Sequence, residues 1–394
     1  MMNHRPAMHG VWQRPYLMTV ALLLSFWGGC TITETGSGSS DRETPGTLTI
    51  ATWNVQALFD GDESGIEYDD YLQAAGWSAE KYQARLNSLS KAIGRMAEQA
   101  PDILGLEEIE NVRVLEDMVS GPLADYGYQY LCFAANPGAA LGIGLVSRFP
   151  LAETRVHSIT AYGKTIPRPI LEVQLQVQNQ PLALLVCHWK AKQGETEKNA
   201  ATESLRRASA RIILRRLQEL RQEHPAIPVL IMGDLNENHN EWYRGGETTL
   251  TALLPDDPKA AERTGLRIEA ETFDGSERKI PEDFLILSGN KPPKSEYFPP
   301  PALALYSPWG NELHDGSYFY KGAWETIDHF LLTESLFDRV GWDFDTAVVI
   351  RQEPFINAQE RPYAYNPRTG TGLSDHLPLM LTLRLLTGPE PLEP

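Results

Sequence analysis

Residues 228–236 read Pro-Val-Leu-Ile-Met-Gly-Asp-Leu-Asn, an apolar run that stops at a glycine and two polar residues. The run predicts a buried β-strand, and Gly233 permits a sharp change of direction at its end. In an extended segment the side chains of Asp234 and Asn236 point to the same side. Together they could hold a water molecule and a phosphoryl oxygen, although an Asx turn after a strand is the commoner explanation of such a pair.

The same pattern, an apolar run that meets a polar side chain, recurs along the chain. The other instances are Asn54 after 48–53, Glu108 after 102–107, His188 after 182–187, Asp328 within 326–332, and Ser374-Asp375-His376 before 377–386. Taken singly, Glu108 could open an acidic helix, His188 could be a core histidine and Asp375 could lie in a surface turn. Taken together, they predict one polar site whose carboxylates, amides and imidazoles suit a hard divalent cation and a phosphate ester.

Strand patterns far outnumber helical patterns. Apolar runs predict strands at about 47–54, 102–107, 128–133, 141–147, 169–177, 181–188, 228–234, 283–287, 325–332, 345–350 and 377–386. Helical spacing of apolar residues occurs at 78–99 and 199–223. Short loops between most strands favour two packed sheets with outer helices over one purely parallel sheet. We expect a single domain at 47–387 and a disordered tail at 388–394.

Residues 1–30 have the pattern of an export signal. Basic residues precede the apolar stretch 16–27, which is too short to span a bilayer comfortably, and Gly28-Gly29-Cys30 follows it. Small residues before a cysteine resemble a bacterial lipobox. We therefore expect a lipid anchor on Cys30 and a place at the bacterial outer membrane or cell surface, with a secreted or periplasmic protein as the alternative. Residues 31–46 would then be a flexible tether.

Composition limits the kinds of partner. The chain is 42% hydrophobic and 22% charged, which is ordinary for a globular protein, and its formal net charge is −17. That charge argues against a broad basic surface for nucleic acid, but bound cations can reverse the local sign that a phosphate meets. The densest basic segment, 206–221, is either a solvated helix face or a nucleic-acid contact. Cys132 and Cys187 lie in apolar runs and are expected to be buried, and whether they pair stays open.

The ordered motifs together resemble a known family. The order Trp-Asn, Leu-x-Glu-Ile, His, Gly-Asp-x-Asn, Ile-Asp and Ser-Asp-His is similar to that of the endonuclease/exonuclease/phosphatase superfamily, which has the deoxyribonuclease I-like fold. The resemblance covers residues 47–386. Four segments look like the bacterial exported-nuclease branch of the superfamily: 54–60, 77–82, 108–117 and 316–320. It implies an α/β fold, a four-layer sandwich of two packed mixed β-sheets flanked by helices.

The resemblance implies a metal site and a pair of residues that orient the attacking water. Glu108 is similar to the main ligand of Mg²⁺ or Mn²⁺ in the family, with support from Asn54 and Asp375. Asp234 and Asn236 resemble the pair that orients the water and the scissile phosphate.

Two imidazoles complete the site that the resemblance implies. Asp328 would orient His376 beside the phosphate, and His188 would supply a second imidazole, without an indication of which is base and which is acid. Arg168 matches a family arginine and either contacts phosphate or forms a salt bridge. Gln56 stands where many relatives carry an acid, which removes one possible metal ligand.

The implied reaction is hydrolysis of a phosphodiester by in-line attack of water. We expect a monomeric, exported or surface-anchored nuclease that cleaves DNA, with RNA as a second substrate. His188-Trp189-Lys190 supports this because its side chains could meet a base and a phosphate. A lipid or small-molecule phosphodiesterase or phosphatase, sphingomyelinase-like or phosphoinositide-phosphatase-like, would use the same residues and is the alternative. A non-catalytic binding protein would require loss of a core residue, and none of those named is lost.

Overall fold

The computed structural model describes residues 31–34, 46–161, 163–166, 168–192, 196–265, 283–300 and 302–386. The predicted export signal with Cys30, most of the predicted tether and the predicted tail lie outside these ranges. Thr31–Glu34 pair antiparallel with Tyr130–Ala134. The tether prediction is corrected for this strand, because backbone pairing to a sheet edge replaces free chain there. Within the described ranges, no helix is both long and apolar enough to cross a lipid bilayer.

The described residues form many short strands and few helices. The strands are β1 (Thr31–Glu34), β2 (Thr47–Leu58), β3 (Ile103–Ile109), β4 (Tyr130–Ala134), β5 (Gly142–Ser147), β6 (Leu151–His157), β7 (Thr160–Ala161), β8 (Lys164–Thr165), β9 (Ile170–Val177), β10 (Gln180–His188), β11 (Val229–Asp234), β12 (Leu253–Pro255), β13 (Leu285–Ser288), β14 (Ala304–Tyr306), β15 (Tyr318–Tyr320), β16 (Ala323–Glu325), β17 (Asp328–Leu332), β18 (Gly341–Val349) and β19 (Leu379–Leu386). The α-helices are α1 (Ala79–Ile93), α2 (Val112–Ser120), α3 (Thr196–Glu223), α4 (Glu241–Arg244) and α5 (Pro258–Arg263). Single 3₁₀ turns lie at Asp69–Tyr71, Gln73–Ala75, Ala124–Tyr126 and Glu334–Leu336.

Two sheets contain most of these strands. One has the order β1-β4-β5-β3-β2-β19-β18, and the other has the order β12-β13-β14-β17-β11-β10-β9-β6. Each sheet is mixed, because β2 runs parallel to β3 and β10 parallel to β11, whereas β19 and β17 run antiparallel to their neighbours β2 and β11. The strand predictions from apolar runs are confirmed.

The sheets pack face to face through an apolar layer. Ile50 and Leu145 of the first sheet belong to the same buried cluster as Val173, Leu184 and Met232 of the second. Burying these side chains between the sheets stabilises the sandwich.

Helices cover the outer faces. Leu86 of α1 and Leu115 of α2 pack on the outside of the first sheet, and Ile213 and Leu217 of α3 pack on the outside of the second. Ser78 caps α1, its side chain accepting from the Lys81 amide at 3.4 Å. The predicted four-layer sandwich is confirmed.

Two of the six arginines of α3, Arg206 and Arg216, are buried and structural. Arg206 is 1% exposed and Arg216 is 2% exposed. The Arg206 guanidinium lies 3.0 Å from Glu237, and the Arg216 guanidinium lies 2.7 Å from Glu172. These two arginines therefore belong neither to a solvated face nor to a surface for nucleic acid, because buried carboxylates neutralise them.

Both described cysteines are buried free thiols. Cys132 lies in the apolar layer between the sheets, whereas Cys187 lies in the cluster under α3. The expectation that they are buried is confirmed, and they do not form a disulfide.

Candidate active site

The polar ends of the strands meet at one edge of the sandwich. His188 of β10 is the register partner of Asp234 of β11, which is in turn the partner of Asp328 of β17. A cleft of about 780 Å³ opens at this edge. Most of the predicted site residues line it: Asn54, Glu108, Arg168, His188, Asp234, Asn236, Asp375 and His376. Parallel and antiparallel pairing thus assembles side chains that are far apart in the sequence.

Gly233 makes the sharp turn that the sequence predicts. Its φ is +124°, and a Cβ on it would lie 2.0 Å from the carbonyl oxygen of Cys187. Any larger side chain would push β11 away from β10 at the site. The close approach of these strands therefore requires glycine here.

Asp234 lies at the centre of the site and is 2% exposed. One carboxylate oxygen accepts from the backbone N–H of Asn236 at 2.8 Å. The other accepts from the side-chain amides of Asn236 at 3.0 Å and Asn54 at 3.1 Å. Burial, with a further contribution from Asp328, raises the pKa of Asp234 to about 7. A carboxylate with such a pKa can both lose and accept a proton near neutrality.

Asp328 holds His376 in a fixed orientation. Nδ1 of His376 lies 3.1 Å and 2.9 Å from the two carboxylate oxygens of Asp328. The Ser317 hydroxyl donates to the same carboxylate at 2.5 Å. Burial opposes the charged imidazole, but Asp328 outweighs it and holds the pKa of His376 well above 6.5. His376 is therefore an imidazolium near neutral pH, with Nε2 left to donate.

His188 is a neutral imidazole. Burial, reinforced by the positive charge of Arg168, lowers its pKa well below 6.5. Its Nε2 lies 3.5 Å from Asp234 and 3.8 Å from Glu108. The next residue, Trp189, is 1% exposed and packs under α3. The predicted contact between Trp189 and a base is therefore wrong, since the ring belongs to the core.

Glu108 occupies a strained bend at the end of β3. Its φ is +66°, and one of its carboxylate oxygens accepts from the N–H of Ala57 at 2.7 Å. Burial raises the pKa of Asp375, and the negative charge of Glu108 adds to this effect. Two carboxylates that repel each other in one cleft, beside the amide of Asn54, fit a hard divalent cation. Strain of this kind is typical of functional sites.

A second set of side chains meets the distance criterion for a metal site. Ligand atoms of Asp234, Asp328 and His376 all lie within 4.8 Å of one another. A protonated imidazole has no lone pair for a metal, and Nδ1 of His376 is already hydrogen-bonded to Asp328. The hydrogen-bonded pair of Asp328 and His376 within this trio suits proton transfer.

Arg168 supplies a cation to the cleft. Its guanidinium donates to the carbonyl oxygen of Trp189, and its positive charge lowers the pKa of His188. In the described part of the chain no carboxylate forms an ion pair with it. Of the two predicted roles, phosphate contact and salt bridge, the geometry favours phosphate contact.

Sequence reasoning missed a buried arginine under the site. Arg85 of α1 is 2% exposed, and its guanidinium donates to the carbonyl oxygens of Val55 at 2.6 Å, Gln56 at 2.5 Å and Ala57 at 3.0 Å. Gln56 and Ala57 have φ of +58° and +54°, and Ala57 in turn holds Glu108. In the sequence, Arg85 is one polar residue among many on an amphipathic helix, so no local signal marks it.

Sequence comparison agrees with this geometry. The model of the Endonuclease/Exonuclease/phosphatase family matches residues 49–262, which is more than half of the chain. No curated protein sequence matches the chain.

Solved structures with a similar fold show low identity. Truncated TDP2 from Caenorhabditis elegans has 13% identity and a TM-score of 0.47, covering 86% of this chain and 97% of that one. An endonuclease/exonuclease/phosphatase family protein from Bacteroides thetaiotaomicron has 14% identity and a TM-score of 0.45, with coverage of 86% and 97%. The human Nocturnin catalytic domain has 16% identity and a TM-score of 0.44, with coverage of 90% and 97%. Family membership therefore rests on the sequence match.

Proposed function

The chain belongs to the endonuclease/exonuclease/phosphatase family, and on this premise we propose that it is a divalent-metal-dependent nuclease that hydrolyses phosphodiester bonds. Members of the family are phosphodiesterases and nucleases, and they generally depend on divalent metal ions. One observation carries the proposal for this chain. A carboxylate oxygen of Asp234, whose pKa is raised to about 7, lies within 4.8 Å of a ring nitrogen of His376, whose pKa is held well above 6.5. A proton acceptor and a proton donor are thus present together near neutral pH.

Asp234 acts as the general base. It accepts a proton from the attacking water, which lies between its carboxylate and the phosphorus atom. The amides of Asn54 and Asn236 donate to one carboxylate oxygen and fix its orientation, and the other oxygen accepts, among the described residues, only the Asn236 N–H and keeps a lone pair for the proton. A base with a pKa close to the working pH is efficient, because it is ionised and still basic enough to accept a proton.

His376 acts on the phosphoryl group. As an imidazolium it donates from Nε2 to a phosphoryl oxygen and stabilises the negative charge that grows there in the transition state. Asp328 and Ser317 keep the ring oriented and charged. Arg168 and neutral His188, which line the same cleft, add further donors for the phosphate.

Mg²⁺ or Mn²⁺ is the proposed cofactor. Glu108 and Asp375 would hold it, with the amide oxygen of Asn54 as a further ligand. When bound, the ion supplies positive charge that offsets charge on the phosphoryl group and the leaving oxygen. Few protein ligands are required, since Mg²⁺ keeps several waters.

Nucleic acid fits the cleft better than lipid does. In the described lining, the only aliphatic side chains are Ala191 and Ile327. Arg168 and Lys321 are cations that form no ion pair within the described residues, whereas Lys192 is paired with Glu241 at 2.6 Å. A lipid phosphodiesterase would need an apolar surface beside the reacting groups. The cations and the tyrosines of the cleft suit a polyanion that carries aromatic bases.

The proposal is tested with the purified protein, Mg²⁺ or Mn²⁺, and four substrates: plasmid DNA, RNA, sphingomyelin and a phosphoinositide. We expect cleavage of DNA or RNA that EDTA abolishes and that the His376→Ala variant lacks. Turnover of a lipid with no cleavage of nucleic acid would replace the proposed substrate while leaving the catalytic residues in place.

We also propose export and a lipid anchor on Cys30, from the sequence pattern alone. Cys30→Ser should move the protein from the membrane fraction to the soluble fraction of the producing bacterium. An unchanged distribution between the fractions would refute the anchor.

A further inference from the structure

A small β-hairpin outside both sheets borders the cleft. It consists of β15 and β16, which pair with each other, and a single bridge joins Tyr318 to His376. Tyr318 and Tyr320 are two residues apart on β15, so their side chains lie on one face of the hairpin. Both line the cleft, together with Lys321. The proposed mechanism uses none of these three side chains.

The other face of the hairpin fixes it to the protein. Phe319 and Trp324 pack against each other across the hairpin at 5.3 Å, and each holds an arginine from outside it: the guanidinium of Arg361 lies 4.1 Å from the Phe319 ring centroid, and that of Arg351 lies 4.7 Å from Trp324. Gly316, at the start of the hairpin, has a φ of +143°, and a Cβ on it would lie 2.7 Å from the carbonyl oxygen of Glu325. Because Phe319 provides the packing, the tyrosines on the opposite face are free for another role.

The side chains of this face form a line that leads away from the reacting groups. The Tyr318 ring lies 4.6 Å from the His376 ring, and the Tyr320 ring lies 6.0 Å from Tyr318 at an angle of 18°. The ammonium of Lys321 lies 5.1 Å from the centroid of Tyr320. Tyr320 is 47% exposed although it is a large ring. The imidazole ring of His376, two nearly parallel tyrosine rings and an ammonium thus follow one another.

This order matches the order of groups along a nucleic-acid strand. His376 would meet the scissile phosphate, the rings offer π-faces to a base, and Lys321 offers a positive charge to the phosphate that follows. Stacking on aromatic rings tolerates any base, because every base has a π-face. A base that stacks on a protein side chain has left the base stack of a duplex, so the strand at this point must be unpaired.

A second feature opposes duplex binding. The loop on the Glu108 side of the cleft contains a run of carboxylates: Asp60, Asp62, Glu63, Glu67, Asp69 and Asp70. Asp62 is paired with Arg113 and Asp70 with Arg368, which leaves Asp60, Glu63, Glu67 and Asp69 without an ion pair in the described part of the chain. A duplex would bring a second chain of phosphates toward this acidic loop, and a single strand along the hairpin would not.

Building on the proposed nuclease function, we propose that Tyr318 and Tyr320 bind the base next to the scissile phosphate and that Lys321 binds the following phosphate. The enzyme then cuts unpaired nucleic acid in preference to duplex.

The test uses short single-stranded DNA with one cleavable phosphodiester, and two analogues in which the base on one side or the other is replaced by hydrogen. Tyr320→Ala should lower kcat/KM on the complete substrate by about 10- to 100-fold, the range expected for one base–aromatic stack. On the analogue that lacks the stacked base, the kcat/KM values of Tyr320→Ala and of the unmodified protein should agree within about 2-fold. The analogue has already lost the contact between the base and Tyr320, so removing the ring costs nothing more. Tyr297→Ala is the matched control, since Tyr297 is also an exposed tyrosine, at 41%, but does not line the cleft.

Two further results decide the inference. A DNA hairpin with a single-stranded loop should be cut in the loop, and faster cleavage of its duplex stem would overturn the preference. If Tyr320→Ala lowered kcat/KM equally on the complete and the abasic substrates, the stacking role would be overturned, although the protein would still be a nuclease. Failure of the unmodified protein to cleave any nucleic acid would instead refute the proposed function on which the inference rests.

Discussion

Replacing Arg85 with methionine is expected to weaken divalent-cation binding although Arg85 is not a proposed ligand. The guanidinium holds three consecutive carbonyl oxygens, those of Val55, Gln56 and Ala57, at 2.6, 2.5 and 3.0 Å. It thereby stabilises two residues with left-handed backbone, and the N–H of Ala57 holds Glu108 at 2.7 Å. Without the guanidinium, the bend relaxes and Glu108 loses its fixed orientation.

The magnitude follows from the role of such supporting groups. Loss of a residue that orients a metal ligand typically costs about 10- to 100-fold in metal affinity, or about 1.4 to 2.8 kcal/mol. Three buried carbonyls lose a charged donor at the same time, so the free energy of unfolding should fall by about 3 kcal/mol or more. Isothermal titration calorimetry with Mn²⁺, at a temperature where the variant is folded, measures the change in metal affinity separately from the change in the free energy of unfolding.

Arg148→Met is the matched control. Arg148 is also a largely buried arginine that donates to backbone carbonyls, those of Tyr126 at 2.8 Å and Ala100 at 3.3 Å, and it pairs in addition with Asp102 at 2.6 Å. It follows β5 at the opposite edge of the sheet from Glu108. Arg148→Met should lose stability and keep its affinity for Mn²⁺. Equal Mn²⁺ affinity in the two folded variants would refute the reasoning.

Three further predictions follow from the same structure. The value of kcat/KM should rise with pH through about 7 as Asp234 ionises, and it should fall at a pH well above 6.5 as His376 loses its proton. A pH profile of kcat/KM would show both changes, and a flat profile would contradict both roles. Arg216→Met should lower the free energy of unfolding by about 3–5 kcal/mol because it removes the guanidinium from buried Glu172, which keeps only His157 and Gln174 as partners. Arg221→Met, on the same helix and about half exposed, should lower it by less than about 1 kcal/mol, as urea denaturation would show; equal losses for the two variants would contradict the distinction. Gly233→Ala should separate β10 from β11 and abolish activity, and a fully active variant would show that the strands tolerate the extra carbon.

Most of the site could be predicted from the sequence because its signals are local. An apolar run that ends in Asp234 or His188 specifies both a strand and a polar side chain at its end. Two mixed sheets bring such ends together at one edge. A local pattern also predicted the long helices α1 and α3, whose apolar residues recur at helical spacing.

The parts that could not be predicted depend on contacts between distant segments. Arg85 looks like any polar residue of an amphipathic helix, and only the folded chain shows that it lies beneath the bend at Gln56. Arg206 and Arg216 looked like surface charges because their partners, such as Glu172, are remote in the sequence. Trp189 looked available because it follows His188, but alternation along the strand turns it into the core.

The measurement that tests the central claim most directly compares the unmodified protein with Asp234→Asn in single-turnover cleavage of single-stranded DNA at saturating Mg²⁺. The amide keeps the shape of the side chain and removes its ability to accept a proton. The rate should fall by about 10²- to 10⁴-fold while the fold is unchanged. A variant that cleaves at the rate of the unmodified protein would show that Asp234 is not the base.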